Sequence, residues 1–228
     1  MALRGARDAL SRIFYQRCFW LFVILLTMIA VLPFVPPTDH GRLFFNLLNL
    51  FLLIATVAAV GRSLMSFVIA LLLAVPTLWF QYQGILLADE DVLAKSWMFG
   101  GALYLITTAY LLVYVFQPRV MTQDKLFGAA AAYLMLAVVW CYAYLVVGHF
   151  YPESFMVLGK PGSLTFSEAI YLSVTVLTST GFGDITPLSR QARGVCMVEQ
   201  VAGALFVAIL IARLAGVYPP ATRRIESD

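Results

Sequence analysis

Charge is what this sequence has least of: Asp, Glu, Lys and Arg make up 12% of 228 residues, against 62% hydrophobic. So few polar side chains cannot clothe a water-soluble core. No stretch outside the apolar runs is long enough to fold as a separate domain; the longest, from His149 to Thr165, is about 17 residues. Cysteine is scarce too, and Cys18, Cys141 and Cys196 are odd in number and lack paired spacing with His or carboxylates. Neither a disulfide framework nor a metal site follows from them. No Ser/His/Asp set, metal-ligand cluster or phosphate-cradling loop is present, which leaves no basis for an enzyme or a bound cofactor. Internal repeats and low-complexity tracts are also lacking.

What the chain does have is long apolar runs. Those near 18–36, 43–60, 64–82, 97–117, 126–148 and 194–217 each approach the roughly 20 residues that cross a bilayer as a helix. The expected fold is therefore an all-α integral membrane protein with six transmembrane helices. A shorter apolar run at 166–178 cannot cross and ends in glycines, so it reads as a re-entrant helix followed by an extended loop.

Arg4, Arg7, Arg12 and Arg17 precede the first run and keep residues 1–17 in the cytoplasm. Pro33-Phe34-Val35-Pro36-Pro37 offers no small-x-small cleavage site, which argues against a cleaved signal peptide. Counting spans from there places nine basic residues inside and five outside, in the sense of the positive-inside rule, with both termini cytoplasmic. Topology thus accounts for the net charge of +3, and no nucleic-acid partner is implied. Pro118 cannot continue the fourth run and marks a boundary. Before it lies a four-helix unit at 18–117. After it come a connector at 118–125, a second unit at 126–217 and a short tail at 218–228.

The chemistry concentrates in that second unit. Thr165-Phe166-Ser167-Glu168 matches a capping box opening the short helix, with Thr165 as cap and Glu168 as its carboxylate partner; Glu168 can alternatively attract cations. The helix points its partially negative C-terminal end into the membrane, where a dehydrated cation would be stabilised. In the loop at 179–184, Gly181 and Gly183 alternate with Thr180 and Phe182, so backbone angles open to glycine can aim successive carbonyls the same way. A ring of such carbonyls replaces the hydration shell of a monovalent cation, and one chain supplies only one strand of the ring, so a homotetramer follows.

These residues carry a resemblance. Tyr171-Leu172-Ser173 and Leu177-Thr178-Ser179-Thr180-Gly181-Phe182-Gly183-Asp184-Ile185-Thr186-Pro187 are similar to the pore helix and filter of bacterial potassium channels, over roughly 126–217. The resemblance implies an outer helix at 126–148, a pore helix at 166–178, a filter at 179–184 and an inner helix at 194–217. It implies K⁺ at Ser179, Thr180, Gly181 and Phe182, with Asp184 at the outer mouth, in a cell membrane. The family usually has Thr at position 179, Val or Ile at 180 and Tyr at 182. Ser179 keeps a hydroxyl but is less restrained than a β-branched Thr, Thr180 adds a hydroxyl that needs a partner, and Phe182 lacks a phenol.

In the sixth run, Glu199 is an intramembrane carboxylate, either a protonatable group acting on the pore or a hydrogen-bonded one behind the pore helix. Gly203 stands where the resemblance places a bending glycine, and it suits a hinge or close packing equally. Ala204, Val207, Ile211 and Ala215 recur on one face and would give an apolar cavity. Arg213 near the inner end snorkels to lipid phosphates or serves the gate. The fourth run holds no series of Arg or Lys at three-residue spacing, so a voltage sensor is not expected. Asn46 and Asn49 read as interhelical glue in the second run, and His149 as an interfacial residue or an external pH sensor.

Overall fold

A backbone that leaves water must satisfy its own N–H and C=O groups, and apolar runs of this length do so as helices. In the computed structural model, which describes residues 17–35, 50–52, 55–56, 64–117 and 122–217, most of the described residues are helical. The helices are α1 (Arg17–Val31), α2 (Leu64–Leu87), α3 (Glu90–Phe116), α4 (Gln123–Phe150), α5 (Phe166–Leu177) and α6 (Arg190–Val217). Among the described residues, α2, α3, α4 and α6 are long and apolar enough to cross a membrane.

The first expected span differs from the sequence reading. Helix α1 has 15 residues, about 22 Å of rise, and passes into a single 3₁₀ turn at Leu32–Phe34 around Pro33. Pro33 removes the amide that would extend the helix. Most of the second expected span, with Asn46 and Asn49, lies outside the described residues, as do residues 1–16, 118–121 and the tail at 218–228.

Helices α2 and α3 run further than expected and meet at a two-residue turn. Ala88 adopts a left-handed φ of 50°, and Asp89 caps α3 by accepting from the amides of Asp91 and Val92. Gly84 is required there: a Cβ on it would lie 2.9 Å from the Leu93 nitrogen. The polar residues read as an outer loop are therefore the first turn of a helix.

Helix α4 is the centre of the packing. Cys18, Leu21, Leu25 and Met28 form a buried stripe at helical spacing on α1, continued by Leu32 of the 3₁₀ turn, and α1 packs against α4. Small residues admit the neighbours closely, as in membrane helix packing generally. At Gly128 a Cβ would sit 3.2 Å from Val115 and 3.4 Å from Cys18. Helices α5 and α6 also pack on α4.

A small sheet, which no sequence pattern marks, is also present. Strands β1 (Phe155–Val157), β2 (Lys160–Gly162) and β3 (Ile185–Pro187) pair antiparallel in the order β2-β1-β3. Three-residue strands are too short for alternation to register. The sheet joins the turret between α4 and α5 to the chain that leaves the glycine loop.

Candidate functional site: the pore helix and glycine loop

Helix α5 begins with reciprocal capping. The Thr165 side chain accepts from the Glu168 amide, and Glu168 Oε2 accepts from the Thr165 amide at 2.8 Å and from its hydroxyl at 2.7 Å. Two otherwise orphaned donors are satisfied, and a negative charge sits at the positive end of the helix dipole. The helix ends at Leu177, one residue before the expected boundary, with Thr178 as its C-cap.

Beyond it the chain alternates hand. Ser179, Gly181 and Gly183 all have positive φ, at 57°, 56° and 83°. Glycine adopts such angles freely, whereas Ser179 pays about 1 kcal/mol or more for them. The amides of Thr180 and Gly181 both point back to the Thr175 carbonyl, at 2.8 and 3.3 Å. Because C=O and N–H of one peptide unit point in opposite directions, the Ser179 and Thr180 carbonyls face away from α5 and out of the chain. Residues 178–184 are exposed along their whole length.

Two of the three departures from the expected filter residues, Thr180 and Phe182, meet a local response. The Thr178 hydroxyl donates to the Val174 carbonyl at 2.7 Å, so its one proton is used, and Thr180 Oγ1, 2.8 Å away, is the donor of that pair. Phe182 stacks nearly parallel on Tyr171, ring centroids 6.3 Å apart. The Tyr171 hydroxyl in turn donates to Asp184 Oδ2 at 2.8 Å, and this bond to a carboxylate raises the phenol above its ordinary pKa. The Asp184 backbone carbonyl accepts from the Leu158 amide at 3.2 Å, which ties the mouth of the loop to the turret. No sequence signal marked this Tyr171–Asp184–Leu158 chain of contacts.

On α6, Gly203 sits against the end of the pore helix. A Cβ there would fall 2.2 Å from the Leu177 carbonyl oxygen, an oxygen that also accepts from the Tyr133 hydroxyl at 3.1 Å. Close packing, one of the two roles open to Gly203, is therefore realised. Glu199, one turn earlier, is fully buried between α4 and α5, bonded to Tyr144 and to Ser173. Ala204, Val207, Ile211 and Ala215 lie exposed on α6. Arg213 donates to the carbonyl of Gln117, which caps α3, and its guanidinium lies 5.8 Å from the Phe116 ring. Lys125 Nζ donates to the same carbonyl at 3.2 Å. His149 Nε2 lies 3.2 Å from Asp91 of α3 and edge-on to Trp97, so it has a local partner.

A capped half-length helix and a long apolar helix, both packed on α4, flank a loop of alternating hand. Residues 132–218 of the chain match the sequence model of an ion channel family, a stretch that takes in most of α4, the turret sheet, α5, the loop and α6. This match supports an ion channel whose apolar helices lie in a membrane. Neither curated proteins nor solved structures yield a match to the chain.

Proposed function

We propose that the chain is one subunit of a homotetrameric, K⁺-selective channel that passes ions passively down their gradient. The observation that carries this reading is the alternation of hand at Ser179, Gly181 and Gly183, with the intervening amides turned back to Thr175. Carbonyls aimed away from their own chain find purpose when four copies face one another and present rings of oxygen to a dehydrated cation. K⁺ would be held by Ser179, Thr180, Gly181 and Phe182, with Asp184 concentrating cations at the outer mouth. The protein would act without catalytic residues or a cofactor, in contact with lipid, in a cell membrane with both termini cytoplasmic.

A weakly selective Na⁺/K⁺ channel is the second reading, favoured by one observation. Phe182 makes a stacking contact where a phenol would donate a hydrogen bond, so the outer filter is less firmly tied. Reversal potentials of the purified protein in planar bilayers under opposed K⁺ and Na⁺ gradients test both. A value near the K⁺ equilibrium potential is expected, and one near zero selects the weakly selective channel. Currents without single-channel steps would point to a carrier, and no current would sink the proposal.

A further inference from the structure

Behind the pore helix lies a polar cluster that the ion path does not touch. Glu199 of α6 has no solvent exposure, and its carboxyl meets two hydroxyls. Tyr144 of α4 donates to Oε2, and Ser173 Oγ of α5 lies 2.5 Å from Oε1. Ser173 Oγ also lies 2.8 Å from the Ala137 carbonyl oxygen of α4. Three helices thus meet at one carboxyl. Tyr133, Cys141 and Tyr144 face it from α4, Ser173 from α5 and Cys196 from its own helix. None of these is a cation.

Counting protons decides what the cluster can do. Ser173 has one proton and two oxygens within reach of it, the Ala137 carbonyl and Glu199 Oε1. An ionised Glu199 would take that proton, leave the Ala137 carbonyl without it and bury a charge with no counter-charge. A neutral carboxylic acid satisfies every atom. Its own proton goes from Oε1 to Ser173 Oγ, the Ser173 proton goes to Ala137, and Tyr144 donates to Oε2. A closed network of this kind is rigid, whereas a partly satisfied one is costly.

We propose that Glu199 is a positioning residue for the filter: as a neutral acid it bolts α5 to both α4 and α6, and so fixes the height and tilt of the helix that presents Ser179 to Asp184. This rests on the channel reading, since a bolt behind the pore helix matters only if the loop in front of it selects ions. Gly203 is one turn further along the same face, against Leu177, so the helix is gripped at mid-length and at its end.

Glutamine discriminates between the two protonation forms, because its amide can donate to Ser173 and accept from Tyr144 in the places where the neutral acid does, with one further N–H besides. In planar bilayers, Glu199→Gln is expected to keep the K⁺/Na⁺ permeability ratio within about twofold of wild type, with the same pH profile. Glu199→Ala and Ser173→Ala are expected to lower that ratio roughly tenfold, since both lose the Glu199–Ser173 hydrogen bond that ties the helix to α6. Infrared spectra of wild type against Glu199→Gln are expected to show one carbonyl band of a protonated carboxylic acid that the glutamine variant lacks. The proposal is overturned if Glu199→Ala keeps wild-type selectivity, if the glutamine variant is as impaired as the alanine one, or if the acid band is missing. Should Glu199→Ala fail to assemble, Ser173→Ala and the infrared band still decide. Should wild type carry no selective current, the channel reading fails by itself. The infrared band, and a melting order with glutamine near wild type and alanine below, then decide the bolt.

Discussion

Replacing Gly203 with alanine sets two effects of opposite sign against each other. By helix propensity alone the change stabilises α6 by ~1 kcal/mol, because glycine loses more backbone freedom on folding. Sterically, the new methyl carbon would sit 2.2 Å from the Leu177 carbonyl oxygen and 3.0 Å from its carbonyl carbon. Relief to an ordinary contact needs a displacement of about 1 Å, and the obstruction is backbone, not the end of a flexible side chain. The Leu177 carbonyl cannot simply turn away, since the Tyr133 hydroxyl donates to it at 3.1 Å. Overpacking of this kind costs ~1–3 kcal/mol beyond the transfer gain, so the clash wins over propensity. The expected results are a lower melting temperature of the detergent-solubilised protein, followed by size exclusion, and a reduced K⁺/Na⁺ permeability ratio. On the proposed reading the filter responds because Leu177 stands two residues before Ser179, so pushing it would move the first proposed ligand. A hinge predicts the reverse: unchanged or improved stability, unchanged selectivity and fewer openings. That pattern would refute the packing argument.

Other predictions follow from single contacts. Thr165→Ala removes the side-chain arm of the capping box, leaving the backbone amide of residue 165 to donate to Glu168, and is expected to cost about 1 kcal/mol in thermal stability with little change in selectivity. Tyr171→Phe keeps the ring over Phe182 but loses the bond to Asp184; a permeability ratio lower by a few fold, at unchanged tetramer yield, is expected, and an unaltered ratio would show the contact to be idle. Arg213→Gln weakens the link from α6 to the end of α3 and is expected to change open probability while the reversal potential stays put. Conductance should vary weakly with voltage, because α3 carries Lys95 alone among Lys and Arg, near its outer start; a steep curve with several gating charges per subunit would contradict this.

The long spans and the capped short helix were legible because each rests on a local rule: an apolar run of spanning length, or a threonine three residues before a glutamate. The loop was legible because glycines at 181 and 183, alternating with Thr180 and Phe182, leave open the left-handed backbone angles that the loop adopts. Ser179 shows where that logic stops. A serine carries no sign that it will adopt a positive φ, and it does so because the Thr175 carbonyl collects the two amides that follow. Tertiary facts were illegible for the same reason. The partner of Glu199 could be narrowed to the pore helix, but not to Ser173 and Tyr144 together, since both lie far from it in sequence. The turn at Ala88 and Asp89 was read as a longer loop because Glu90, Asp91 and Lys95 look like surface residues, while the first turn of a helix takes acidic residues equally well.

The turret sheet gives the glycine loop a second fixed end. One end leaves α5 at Leu177, and the other enters β3 at Ile185, paired with Val157 of β1. Between them the loop is strung like a wire between two posts, and both posts belong to the same chain. The conformational entropy of shaping it, on the order of 1–2 kcal/mol per residue, is therefore met while each subunit folds. In the proposed homotetramer, subunits coming together would have only to align strands that are already formed, so assembly would select among rigid parts instead of moulding soft ones.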